Sequence, residues 1–253
     1  MDRSNIMRNK EAYFEPEQVQ TILNYCYDNK DFRSFMLFFI LYRTGRRITE
    51  LLGKPPYSGD GLRSMSNYRG LRPSDIVEKT KSIQWDILKK NPVKKKFKNG
   101  KDKPQDKLLR QLNDKEPKRV IIAMDSELYS YLVWYIDYAG ISKYDRVFPI
   151  SRRRADQLLK RVIGKIGLKM NLGRRKIKNR GVIYQVDCRP HLHMFRHSFA
   201  INVLSQNQKN PLALPKLTDL LQHSDMNMTK RYLQFTDKST GEFLDKTFGV
   251  DEE

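Results

Sequence analysis

The sequence predicts an α+β protein, mainly α-helical, with a small antiparallel β-sheet on one side. Apolar side chains recur at helical spacing along much of the chain, while short runs alternate: Ile83, Trp85 and Ile87; Val120 and Ile122; Val182, Tyr184 and Val186. No internal repeat and no long Gly/Ser or Pro linker divides the 253 residues, which is enough chain to bury a substantial core.

The elements follow in order. Glu15-Pro16-Glu17 suits a first helical turn, and Val19, Ile22, Leu23 and Cys26 continue it at helical spacing over about 15–30. Residues 32–43 are apolar nearly all round, the pattern of a helix buried in a core. Thr44-Gly45 closes that helix, and Arg46 to Leu52 opens another. Residues 53–70, rich in Gly, Pro and Ser, read as a loop or insertion, and the stretch from Leu71 to Ile76 brings the chain back. Strands are expected at 82–88 and 119–124, joined by the lysine-rich stretch 89–118. Asp125-Ser126-Glu127 then starts a helix carrying Leu128, Leu132, Val133 and Ile136. Another, about 151–166, has Leu158, Leu159, Val162 and Ile163 on one face. A short strand at Val182–Val186 and helices near 194–206, 215–222 and 226–234 complete the list.

Composition excludes several classes. The longest apolar run, Phe35 to Tyr42, is far shorter than the roughly 20 residues that span a bilayer. The first fourteen residues hold no apolar stretch of a secretory signal. Two cysteines make neither a disulfide framework nor a four-cysteine zinc site, and three of the four histidines crowd into residues 191–197. The expectation is a cytoplasmic protein without metal or cofactor and with no membrane partner.

Charge points to the partner. The net charge is +20, and it sits in two segments. Residues 89–119 carry 13 basic and 4 acidic side chains, residues 151–180 carry 12 and one, and the rest of the chain is balanced. Positive charge gathered on a neutral body is the footprint of a polyanion, and nucleic acid is the expected partner, with an anionic membrane surface the main competitor. The candidate phosphate contacts are Lys94, Lys95 and Lys96, then Arg152, Arg153 and Arg154, then Arg174, Arg175, Lys176, Lys178 and Arg180.

Four short motifs carry the chemistry. Thr44-Gly45-x-Arg47-Ile48-x-Glu50-Leu51-Leu52 comes first, then His193-x-x-Arg196-His197, then Leu221-x-His223-Ser224, then Tyr232, nine residues after His223. His193 and Arg196, three apart, share a helix face. Each piece alone has a bland reading, such as a surface histidine beside a buried phenylalanine, or an amphipathic tyrosine.

In this order and spacing the motifs resemble the tyrosine recombinase family, the phage-type integrases and Xer recombinases, over about 13–235. The family pattern is T-G-x-R-x-x-E-L, H-x-L-R-H, L-G-H-S and a tyrosine. Stretches 71–76 and 220–235 have an archaeal or archaeal-virus character. The resemblance implies the catalytic-domain fold of that family and a site-specific recombinase or integrase. Such an enzyme cleaves and rejoins duplex DNA through a 3′-phosphotyrosyl intermediate, with no cofactor. It implies Tyr232 as nucleophile, Arg47 and Arg196 as clamps on the non-bridging oxygens, and His193 as the group that takes or returns the tyrosine proton. His223 would bond the phosphate, with Glu50 and His197 as supports behind them. A general-acid lysine is implied after a strand. Lys89 and Lys90 both fit, with Lys90 slightly favoured because its strand face carries Gln84 and Asp86. A type IB topoisomerase-like enzyme and a non-catalytic DNA-binding relative are the alternatives.

The expected organisation is an N-terminal extension over 1–12 and a catalytic domain over 13–253 with its tail at about 235–253. Arg47 comes too early for the family's N-terminal core-binding domain to precede it. The partners implied are duplex DNA and further copies of the chain, as a tetramer on two sites, in the cytoplasm or nucleoid, or in a host's cytoplasm for a viral protein.

Overall fold

A computed structural model describes residues 12–53, 70–87, 118–170, 172, 174–179, 182–223 and 225–233. Helix α1 (Pro16–Asp28) starts with proline at its first position and with the Glu15 backbone N–H donated to Gln18 Oε1 at 3.0 Å. Val19, Ile22, Leu23 and Cys26 form its buried stripe, as their spacing predicts. Asp31 caps helix α2 (Phe32–Thr44) by accepting from the Ser34 N–H, and Ser34 to Leu41 are buried without interruption. A helix apolar on all sides needs neighbours on all sides, and α2 has them. Packed on it are α1, α4 (Ser126–Tyr138), α5 (Arg152–Lys165) and α6 (His193–Gln206). Helix α3 (Ile48–Leu52) follows the corner at Gly45.

Leu71 returns the chain as expected, its N–H bonding the Leu51 carbonyl at 2.9 Å. Strands β1 (Ile76–Val77), β2 (Ser82–Ile87) and β3 (Lys118–Ala123) form an antiparallel sheet in the order β1-β2-β3. In its register Ile83 faces Ile122 and Trp85 faces Val120, so Ile83, Trp85 and Ile122 enter the core while Ile121 stays exposed. Strands β4 (Arg174–Asn179) and β5 (Val182–Asp187) pair as a separate antiparallel hairpin, Arg174 opposite Asp187 and Asn179 opposite Val182. Sequence reading expects β5 alone. In β4 basic residues occupy nearly every position, so the two-residue alternation that signals a strand is absent.

Two other expectations are corrected. Val133 faces outward, and the buried side of α4 is Leu128, Leu132 and Tyr135. The helix expected over 226–234 shrinks to α8 (Asn227–Lys230), while α7 (Ala213–Leu221) matches its expected place. A main core spreads over α1, α2, the three-stranded sheet, α4 and α5. A second core joins α6 and α7 to Tyr13 and Tyr232. Among the described residues no helix is long and apolar enough to cross a membrane.

Candidate active site

The site begins where α2 ends. Gly45 takes φ 61°, the left-handed region that ends a helix most cheaply with glycine. A Cβ at this position would lie 2.4 Å from the Phe199 ring and 3.0 Å from Leu221, so the corner is pressed directly onto α6 and α7. Arg47 then caps α3. Its backbone N–H donates to Glu50 Oε2 at 3.0 Å and its Nη1 to Glu50 Oε1 at 2.9 Å, which fixes the guanidinium against a buried carboxylate. Glu50 therefore orients Arg47.

The C-terminus of α7 is held by three separate parts of the chain. The last four carbonyls of a helix have no partner within it. Here His223 N–H bonds the Thr218 carbonyl and Gln222 N–H the Asp219 carbonyl, both at 3.0 Å, with Gln222 left-handed at φ 52°. Arg46 Nη2 donates to the Leu220 carbonyl, and Arg196 Nη2 donates to the Leu221 carbonyl at 2.7 Å. Arg196 also donates from Nη1 to the Gly45 carbonyl at 2.6 Å. All four carbonyls are satisfied, two by the αL turn itself and two by buried arginines from different motifs.

Just past that turn, His223 Nδ1 lies 2.8 Å from Thr229 Oγ1, which in turn lies 3.0 Å from Thr218 Oγ1. Tyr232 follows α8 and is buried, packed with Leu217, Leu221 and Ile201 in the second core. Its hydroxyl is 2.9 Å from His197 Nδ1. His193 stands beside His197, the rings in edge contact at 4.7 Å, and the His223 ring lies 6.5 Å from that of Tyr232.

Electrostatics follow from burial. Arg46 and Arg196 are both 1% exposed, and burial pushes their pKa values down to about 10 and about 9, which leaves both cationic at neutral pH. Three guanidiniums meet one buried carboxylate, Glu50, so the site carries an excess of positive charge that an anion would neutralise. Burial, followed by repulsion from His191, Arg196 and Arg231, pushes His197 down to about 4. His193 keeps solvent contact, yet desolvation and then its cationic neighbours lower it in the same direction. Burial raises the Tyr232 phenol, against the pull of Arg196, Arg231 and Arg47. At neutral pH the pair is therefore a protonated phenol against a neutral imidazole.

The structure thus brings together Arg47, Glu50, His193, Arg196, His197, His223 and Tyr232. It changes one expected relation: His197, and not His193, bonds the tyrosine hydroxyl. His197, the fifth residue of α6, is buried one turn into the helix, whereas His193 sits at the helix start facing solvent. Arg152, Arg153 and Arg154 lie exposed at the start of α5. Arg154 lines a cavity with Lys30, Arg33 and Arg161 at the opposite end of α2 from Gly45, so this cluster is not part of the site. Arg174, Arg175, Lys176 and Lys178 lie along β4. Lys89, Lys90, Lys94, Lys95, Lys96 and Arg180 lie outside the described residues. Sequence reasoning missed Arg46 and Thr229. The adjacent arginines between two helices are the signal for the first, and nothing marks the second.

Comparison with known proteins gives a consistent result. The model of the phage integrase family matches residues 67–239, a span that includes His193, Arg196, His223 and Tyr232 and begins beyond Arg47. No curated protein sequence matches. Among solved structures, XerA recombinase is 17% identical with a TM-score of 0.57, over 94% of this chain and 66% of that one. XerH site-specific recombinase bound to palindromic difH substrate, a post-cleavage complex, is 16% identical with a TM-score of 0.56, over 93% and 53%. The Tn1549 transposon integrase in complex with circular intermediate DNA is 16% identical with a TM-score of 0.51, over 88% and 60%. The chain spans about half to two thirds of the length of these structures.

Proposed function

This chain belongs to the phage integrase family and has the tyrosine recombinase catalytic-domain fold, and from that premise we propose that it is a site-specific DNA recombinase that cleaves and rejoins duplex DNA through Tyr232. The observation that carries the proposal is the Tyr232 hydroxyl held 2.9 Å from a neutral His197 Nδ1, with Arg47 and Arg196 close enough for their charges to pull on the phenol. That arrangement is a nucleophile, a base and an anion-binding field in one place.

In the forward step the Tyr232 oxygen bonds to phosphorus and the bond from phosphorus to the 5′ oxygen breaks. The phenolic proton passes to His197 Nδ1, and the charges of Arg47 and Arg196 favour the tyrosinate that this transfer creates. Arg47 binds one non-bridging oxygen with the face of its guanidinium that Glu50 leaves open. Arg196 uses the second hydrogens of the nitrogens already anchored on Gly45 and Leu221. Thr229 donating to His223 Nδ1 leaves the ring hydrogen on Nε2, the tautomer that donates to a phosphate oxygen. Lys90 or Lys89 protonates the departing 5′ oxygen. Resealing reverses each transfer, and the phosphotyrosyl link conserves the bond energy, so no ATP is consumed.

The remaining parts follow the same reading. The two basic segments grip the backbone of duplex DNA, four copies assemble on two sites, and the protein works at the nucleoid or wherever its DNA lies. The test is a pool of nicked duplexes, each losing a short oligonucleotide on cleavage so that resealing is blocked. Wild type should form a covalent protein–DNA adduct with a chelator present, and Tyr232→Phe should bind the same duplexes and form none. Binding by wild type without adduct on every duplex would favour the non-catalytic reading.

A further inference from the structure

We propose that Arg46 is a positioning residue that sets His223 over the reacting phosphate by holding the end of α7. The proposal rests on the recombinase reading and deepens it, since Arg46 is buried and its bond goes to the end of α7.

Four observations carry it. Arg46 is as buried as Arg196, at 1% exposure, although it lies beside the partly exposed Arg47 in sequence. Its Nη2 takes the Leu220 carbonyl, the one carbonyl of the last four in α7 left over by the αL turn and by Arg196. His223 lies three residues further, with its own N–H tied to Thr218 in the same turn. A shift of the Leu220 peptide therefore moves the imidazole directly. Among the described residues Arg46 Nε and Nη1 are buried without a hydrogen-bond partner, so this arginine is not explained by stability alone. An apolar side chain would avoid the two orphaned donors but would leave the Leu220 carbonyl unpaired, so the residue is explained by what its remaining bond and its charge do for the site.

The geometry also explains why a cation suits the position. The C-terminus of α7 carries partial negative charge at its last carbonyls, and two guanidiniums neutralise it where a phosphate is to bind. Without Arg46 the end of α7 would present an unpaired carbonyl toward the anion's side of the corner.

The experiment follows adduct formation on the nicked duplexes for wild type, Arg46→Met, Arg46→Lys, His223→Ala and the Arg46→Met/His223→Ala double variant. Arg46→Met should slow adduct formation at saturating DNA by about 10- to 100-fold, the scale of a slightly misplaced catalytic group. Its affinity for duplex should stay within about twofold, and Arg46→Lys should recover part of the rate. In the His223→Ala background the Arg46→Met change should add less than about twofold, because the residue it positions is gone. A wild-type rate in Arg46→Met, or the same full loss in both backgrounds, would overturn the proposal. A second measurement needs no activity: amide hydrogen exchange over Leu220–His223 should rise in Arg46→Met while α6 keeps its protection. Unchanged exchange there would also overturn it. If Arg46→Met does not fold, Arg46→Lys serves for both measurements, with a smaller loss of rate and protection expected. If wild type forms no adduct on any duplex, the recombinase reading falls, and the exchange result still decides whether Arg46 holds the end of α7.

Discussion

The hydroxyl of Tyr232 and Nδ1 of His197 are 2.9 Å apart, joined across 35 positions of the chain. Burial disfavours charge on both halves of the pair. Burial keeps the phenol protonated and the imidazole neutral, so a proton is ready on one side and a lone pair on the other. The positive charge of Arg196 and Arg47 then favours the tyrosinate that the transfer would create.

The depressed pKa of His197 makes stability depend on pH. The unfolded chain takes up that proton near the ordinary value of 6.5, while the folded protein resists until about 4. Between those values the unfolded state holds more protons, so stability is full above the window and falls as pH drops through it. His193 shifts in the same direction, and the comparison must isolate His197. Thermal melts from pH 7.5 to 4.5 should show a steeper loss in wild type than in His197→Asn. Parallel curves would contradict the assignment.

Gly45→Ala should be strongly destabilising. The left-handed backbone costs an L-residue about 1–2 kcal/mol, and the new methyl must displace the Phe199 ring at a cost of about 1–3 kcal/mol. A fall of about 10 °C in Tm is expected for a domain of this size. An unchanged Tm would mean that the corner is looser than the contacts with Phe199 and Leu221 require.

Gln222→Gly should stabilise. The family pattern carries glycine here, and Gln222 holds φ 52° with its Nε2 bonded to the Asp219 carbonyl at 2.5 Å on an exposed surface. Relief of the left-handed strain is worth about 1 kcal/mol, or a rise of about 3 °C in Tm. A lower Tm would show that the side-chain bond outweighs the strain.

Thr229→Val keeps the shape of a fully buried side chain and removes the bond to His223 Nδ1. Adduct formation should fall roughly tenfold through loss of the His223 orientation, with duplex affinity little changed. The protein should also lose about 1–3 kcal/mol because Thr218 and His223 each lose a partner. A stability loss with a normal reaction rate would remove Thr229 from the catalytic account.

How much of this is legible in the sequence depends on the kind of interaction. Helix α2 is plain because its apolar residues leave no solvent face, and Ile83 and Trp85 show their strand by alternation. Arg47, Arg196, His223 and Tyr232 are found because four motifs keep an order and spacing that resembles a family. The docking of Arg46 and Arg196 on the Leu220 and Leu221 carbonyls leaves no such trace, because a backbone acceptor has no residue type. Strand β4 is hidden for a different reason, its backbone pairing with β5 being independent of the basic side chains that mask its period. The burial of Tyr232 is hidden as well, since polar neighbours in sequence surround a ring that tertiary packing places against Leu217 and Leu221.

The most direct test of the account is to digest the trapped protein–DNA adduct and locate the attached nucleotide by mass spectrometry. The account predicts a 3′-phosphonucleotide on the Tyr232 oxygen in wild type and no adduct in Tyr232→Phe. A nucleotide on any other residue, or an adduct that survives Tyr232→Phe, would contradict it.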